Sequence, residues 1–312
     1  MLIRIADSLF WMTRYMERTE GILRMIKTNY MSSLENIEES DFTWRPVLKT
    51  FTTLSDEQIS AMEYNSMDVL KYLISDKSND NSVLNTVTSS RENARGVQDH
   101  ITIEVWECLN KFYLEVTKWE QIEFDSSEVI ATLTHFMQNA LLYYGIAEVT
   151  MPRKDGWNFM NLGKFIERAF QTSLFLQSKF EEFDYDMQKT SNPIEWRHVL
   201  QSVSGFEFYL KTYHTGIQAE NVVDMLVLNS DFPRSVFYSV VRLHQILERF
   251  RNSANNEAYN KIDYNLGKLK SRIQYSNVNE IAKEGLKNYL ETMIDDLYVI
   301  GNLINEFIFH YN

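Results

Sequence analysis

The 312 residues are 44% hydrophobic and 13% aromatic, enough for a sizeable core in one large or two ordinary domains and too apolar for a globally disordered chain. A net charge of −12 excludes bulk attraction to nucleic acid or anionic lipid and leaves room only for a local basic pocket holding a small anion. Four prolines and ten glycines favour long helices over many-turned β structure, and the single cysteine, Cys108, excludes a disulfide framework or a thiolate metal site within one chain.

From the N-terminus, Met1–Asp7 lacks a continuous apolar signal core, and no later stretch is long and apolar enough to span a membrane, so a cytoplasmic protein is expected. Leu9, Met12, Met16, Thr19, Leu23 and Ile26 alternate steps of three and four, the seam of one amphipathic helix. Further helices are predicted over 44–53, 65–75, 82–98, 100–119 and 126–150, the last opened by the capping signal Asp125-Ser126-Ser127-Glu128. Past Pro152 and the turn residues Asp155-Gly156, Asn158 is a candidate N-cap for a second seam: Phe159, Leu162, Ile166, Ala169, Ser173 and Leu176. Helices over 195–209, 219–229, 234–252, 257–274 and 278–309 follow, with loops at Asp76–Asn81 and Asp184–Asn192. Leu226-Val227-Leu228 has strand propensity, but the absence of any other strand run favours helix.

Three sequence blocks occur twice in the same order. Tyr15-Met16-Glu17-Arg18-Thr19 is echoed by Phe165-Ile166-Glu167-Arg168-Ala169, Trp44-Arg45-Pro46-Val47-Leu48 by Trp196-Arg197-His198-Val199-Leu200, and the segment ending in Ser82-Val83 by that ending in Ser235-Val236. The offsets are nearly constant: 167 − 17 = 150, 197 − 45 = 152 and 235 − 82 = 153. An all-α fold is expected, a tandem pseudo-repeat of helical halves 1–153 and 154–312 packed as one bundle-like unit.

Three groups of polar residues could carry chemistry. Helical rotation places Arg14 and Glu17 opposite the first seam, with Arg18 alongside, and Lys164, Glu167 and Arg168 repeat the arrangement. This is either an ion-pair network bracing the halves or a charged pocket near a pseudo-symmetry axis. In Arg91-Glu92-Asn93-Ala94-Arg95 two guanidinium groups four residues apart share a face and repel unless a carboxylate or a bound anion lies between them. Glu107 and Asn110 share a face of the next helix, so Glu107 is either the partner of one of these arginines or part of a carboxylate or phosphate site. In Asp231-Phe232-Pro233-Arg234-Ser235, Pro233 fits a first helical turn capped by Asp231, with Arg234 beside unpaired amides.

No Gly-rich phosphate loop occurs, Gly163 standing alone, and no His-Glu-x-x-His. Glu195 and His198 form one Glu-x-x-His pair, but the position repeating His198 is Pro46, so a di-iron site lacks its second pair. No metal and no cofactor are expected.

Ile5-Ala6-Asp7-Ser8-Leu9-Phe10-Trp11-Met12 running into Arg14-Tyr15-Met16-Glu17-Arg18 resembles the opening signature of the bacterial alpha-E domain family. Arg91-Glu92-Asn93-Ala94-Arg95 with Trp106-Glu107 and Asn110 resembles its central signature, and Leu162–Ala169 and Phe232–Val236 its later ones. Thr13 stands where a glycine is usual, Gly21 where a polar residue is usual, Asp80-Asn81-Ser82 lacks the usual proline, and Tyr209–Tyr213 is poorer in arginine. The resemblance implies an all-helical cytosolic protein that keeps company with an ATP-grasp-like protein and a transglutaminase-like peptidase, and through them with peptide ligation and processing.

Three readings follow. The first is a helical accessory or binding subunit of such a system. In it Arg14, Glu17, Arg18, Arg91, Glu92, Asn93, Arg95, Glu107, Asn110, Glu167, Arg168 and Arg234 line or brace a polar inter-repeat site for a carboxylate-bearing, acidic peptide or its carrier. The second is an enzyme acting on a peptide or amide with Glu107 or Glu17 as general base, and the third a structural scaffold.

Overall fold

The computed structural model describes residues 3–35, 43–119, 128–187, 193–251 and 256–309. Among these residues every regular element is helical, fifteen of them α-helices, as the scarcity of breakers predicts. The chain divides into two compact units. The first is Ser8–Gly163; the second is Lys164–Asn312 together with Met1–Asp7.

α1 (Ile3–Glu35) belongs to the first unit from Ser8 onward and carries the first predicted seam there, with Leu9, Met12, Met16, Thr19, Leu23 and Ile26 all fully buried. Short helices follow, each started by local chemistry. Pro46 occupies the first turn of α2 (Arg45–Phe51), where its missing N–H costs nothing. Ser55 and Gln58 form a reciprocal capping box on α3 (Asp56–Met62). The Asn65 side chain accepts from two amides of α4 (Ser66–Ile74). Ser82 caps α5 (Val83–Arg95), which packs on α6 (Ile103–Trp119), which packs on α7 (Val129–Thr150). Leu133, Phe136, Ala140, Tyr143 and Ala147 give α7 a buried face at helical spacing.

α8 (Asp155–Glu181) is shared between the units, its residues from Lys164 onward belonging to the second. After it come α9 (Pro193–Ser202), α10 (Phe206–Thr212) and α11 (Ala219–Val223), which runs into a single π-helical segment, Asp224–Leu228. α12 (Val236–Leu247) packs on α13 (Asn256–Gln274), and α13 on α15 (Leu286–Phe309), with α14 (Val278–Glu284) beside α15.

Several predicted boundaries are corrected. The helix expected over 195–209 is two helices, because Ser204 takes a left-handed φ of 53° and a Cβ on Gly205 would stand 2.6 Å from the Met225 side chain. The helix expected over 278–309 breaks at Gly285, whose φ of 95° glycine adopts without strain. α3 was not anticipated, being short and half polar. Asn158 is not a cap: α8 begins at Asp155 and buries Asn158 inside it. Asp231 is not a cap either. Ser235 caps α12, its Oγ accepting from the Tyr238 amide at 2.9 Å, so Pro233 and Arg234 lie in the turn before the helix. Leu226–Leu228 is helical, in the π segment. Asp125–Ser127 of the proposed capping signal lie outside the described residues.

Candidate functional site

The charged face of α1 is buried at Glu17 and partly exposed at Arg14 and Arg18. Glu17 is completely buried, and its carboxylate accepts a 2.6 Å hydrogen bond from the Tyr144 hydroxyl on α7. One turn before, Thr13 and Tyr143 share a 3.1 Å hydrogen bond; burial pushes the Tyr143 phenol well above its ordinary pKa, against the effect of that bond. Arg14 lies with its guanidinium 4.6 Å from the Trp11 ring centre. Arg18 Nη1 donates to Asn81 Oδ1 at 2.7 Å, in the loop that ends at the cap Ser82. Thr19 Oγ1 donates to Thr86 Oγ1 at 2.8 Å, so α1 is tied to both the start and the body of α5.

The second unit treats its Glu-Arg pair alike. Glu167 is buried, and Arg168 Nη1 donates to the Pro233 carbonyl at 3.1 Å, two residues before the cap Ser235. Thr172 Oγ1 donates to the Arg234 carbonyl at 2.9 Å. Lys164, Arg168 and Arg242 all lie against the Phe165 ring, between 5.4 and 5.7 Å from its centre.

The third group forms a platform at the α5–α6 packing line. Trp106, Asn110 and Tyr113 recur at i, i+4 and i+7 on α6 and so share one face. The Arg91 guanidinium lies on that face, 5.4 Å from the Trp106 ring centre and 4.9 Å from that of Tyr113, and its Nε donates to Asn110 Oδ1 at 3.1 Å. Its Nη1 pairs with Glu92, whose other oxygen stands 3.6 Å from Arg95 Nη1. Arg95 is mostly exposed and Glu107 is exposed. Asn93 donates to the Ser89 carbonyl within its own helix. The carboxylate beside the arginines is therefore Glu92. Tyr113 was not singled out from sequence, although its place one turn beyond Asn110 is the signal that finds it.

A second polar bridge of the same kind was also missed. At 153 residues beyond Arg91 and Asn110, His244 Nε2 on α12 faces Asp263 on α13 at 3.5 Å, with Glu248 at 3.8 Å from Nδ1. Glu195 of the Glu-x-x-His pair is held by Lys179 at 3.1 Å. Among the described residues no group of three or more His, Cys, Asp or Glu side chains is placed to hold a metal ion. Cys108 is half-buried, and burial pushes its thiol up to about 11, away from nucleophile chemistry. No helix among the described residues is long and apolar enough to cross a membrane.

Comparison with known proteins gives one family model, Alpha-E, described as a predicted alpha-helical domain with a conserved ER motif, matching residues 1–309. The Glu17-Arg18 and Glu167-Arg168 pairs both read as such a dipeptide. Similar relatives are Uncharacterized protein Mb2597 of Mycobacterium bovis (strain ATCC BAA-935 / AF2122/97) and Uncharacterized protein MT2643 of Mycobacterium tuberculosis (strain CDC 1551 / Oshkosh). Each is 20% identical over 319 residues, covering 95% of this chain and 35% of the relative. The chain thus spans about a third of the length of the curated relatives it matches. No solved structure matches.

Proposed function

This chain belongs to the Alpha-E family, and from that premise we propose that it is a cytoplasmic helical accessory subunit of an ATP-grasp-linked peptide ligation or modification system. In this reading it holds a carboxylate-bearing peptide or partner at the Arg91 platform, and its partners are proteins of ATP-grasp-like and transglutaminase-like type. The observation that carries the binding reading is Arg91 itself. Its guanidinium is fixed by two aromatic rings and an amide, yet its side chain stays about one-fifth exposed beside the mostly exposed Arg95. An arginine already held in place loses little further freedom when it grips a carboxylate, and its planar fork matches that group.

The two Glu-Arg pairs serve the fold in this account. Glu17 is sealed from solvent and Arg18 and Arg168 grip the loops before α5 and α12. A general base must reach the proton it takes, which a sealed Glu17 does not. The longer relatives support an accessory role, since in them the matched region is joined to further chain.

We also propose that the two units descend from one duplicated ancestor. Support comes from the shared order of elements, with α5 and α6 at 83–95 and 103–119 answered by α12 and α13 at 236–247 and 256–274. Further support comes from the Arg18 and Arg168 loop contacts and from the Arg91–Asn110 and His244–Asp263 bridges at one offset. Affinity capture of the tagged chain from its native host, with mass spectrometry, tests the functional reading. Recovery of ATP-grasp-like and transglutaminase-like proteins by the wild type, and their loss with Arg91→Gln/Arg95→Gln, is the expected result; equal recovery by both chains contradicts it.

A further inference from the structure

Arg91 and Arg95 share a helix face, and the group between them belongs to the protein. Glu92 pairs through one oxygen with Arg91 Nη1 and lies with the other 3.6 Å from Arg95 Nη1. The two sides of this cluster differ in how firmly they are held. Arg91 is 20% exposed and pinned by Trp106, Tyr113 and Asn110. Glu92 is 49% exposed, Arg95 is 64% exposed, and both sit on one surface turn where ion pairs contribute little and exchange readily with water. A fixed cation thus faces a displaceable carboxylate.

We propose that Glu92 is an internal stand-in for the ligand's carboxylate: it occupies the Arg91–Arg95 pair in the empty protein and swings aside when a peptide carboxylate takes its place. This rests on the reading of the platform as a binding site and names its regulation. While Glu92 holds Nη1, the fork of Arg91 is closed to a second carboxylate gripping through that nitrogen. Once Glu92 leaves, both Nη groups can grip an incoming carboxylate together, with Arg95 neutralising its remaining charge. The second unit lacks the device. At the offset of 153, His244 stands for Arg91, Gln245 for Glu92 and Glu248 for Arg95, so there is no arginine pair to occupy and no carboxylate between. The proposal also answers why a carboxylate sits beside arginines that would serve an anion better without it. It quenches two like charges in the empty state and sets a threshold that only a well-placed carboxylate passes.

The same chemistry can come from the C-terminus of a peptide or from an Asp or Glu side chain, and three probes separate them. They are acetyl-Gly-Ala-Glu-Ala-amide, acetyl-Gly-Ala-Ala-Ala as the free acid, and acetyl-Gly-Ala-Ala-Ala-amide, each titrated by NMR into the full chain. Glu92→Gln is expected to bind one or both carboxylate probes roughly 1.5- to fivefold tighter than the wild type, the range a single exposed ion pair supports. The uncharged probe should bind neither chain, and Glu92→Gln/Arg91→Gln should lose the gain. The stronger of the two carboxylate probes identifies the source. Equal affinity in wild type and Glu92→Gln overturns the stand-in and leaves the binding site intact. Weaker binding by Glu92→Gln also overturns it, making Glu92 a ligand contact. No carboxylate probe bound by either chain overturns the stand-in and the binding site together.

Discussion

The hydroxyl of Tyr144 donates a 2.6 Å hydrogen bond to the carboxylate of Glu17, two residues 127 positions apart in sequence, and Glu17 has no exposed surface. A buried carboxylate short of a donor costs its desolvation. Tyr144→Phe is therefore expected to destabilise the protein by about 1–3 kcal/mol, and Glu17→Ala, which strips partners from their charge, by about 3–5 kcal/mol. Chemical denaturation of the two variants measures this. A loss under about 0.5 kcal/mol, the scatter of neutral surface changes, would return Glu17 to the candidates for a ligand site.

Glu107 is expected to behave in the opposite way. It is exposed on α6, so Glu107→Ala should keep its stability within about 0.5 kcal/mol of the wild type. A melting point lowered by many degrees would make Glu107 structural instead.

Gly163 is required by close approach. A Cβ there would stand 2.3 Å from the Phe10 carbonyl oxygen and 3.2 Å from Arg14 Cγ. Gly163→Ala should force α1 and α8 apart locally and cost about 1–3 kcal/mol or more. Gly145 on the outer face of α7 has nothing within 4 Å of that position, so Gly145→Ala should stabilise by about 0.5–1 kcal/mol. Equal effects at the two sites, read by thermal denaturation, would contradict this packing.

Alkaline pH should weaken the fold. Burial raises the Cys108 thiol from 9.0 to about 11 and raises the Tyr143 phenol above 10.0. Tyr213 rises as well, through burial and its hydrogen bond to Asp224. In each case the neutral form is favoured when folded. The stability so linked is whole below the unfolded values and is lost as pH climbs from them toward the folded ones, because the unfolded chain releases its protons first. Stability measured from pH 8 to 11 should fall, and Cys108→Ser should lessen the fall at its lower end. A flat profile would contradict the burial of these groups. Cys108 should also react slowly with a thiol reagent at pH 8.

The fold was legible where periodicity governs. The seams of α1 and α8 could be read because every third or fourth residue was apolar or, at Thr19 and Ser173, small, and all twelve of those positions are buried. Legibility failed where one backbone residue decides: Gly285 and Ser204 break helices through a left-handed φ that the apolar pattern around them does not announce. Caps failed for a related reason, since Asp231 and Ser235 are both good cap residues and only the course of the turn selects Ser235. For the candidate site, spacing brought Arg91 and Asn110 together because α5 and α6 are neighbours in sequence and in space. Tyr144 could not be matched to Glu17, because a contact across most of a unit leaves no trace in local spacing. The platform's use of Glu92 was missed because residues adjacent on a helix point 100° apart, and only flexible side chains close that gap.

The most direct test of the binding account is a salt-dependent NMR titration of the purified chain with the two carboxylate tetrapeptides, comparing wild type with Arg91→Gln at matched thermal stability. The account predicts saturable shifts at Trp106, Asn110 and Tyr113 that weaken with salt and vanish in Arg91→Gln. Shifts of equal size in both proteins, or none in the wild type, would contradict it.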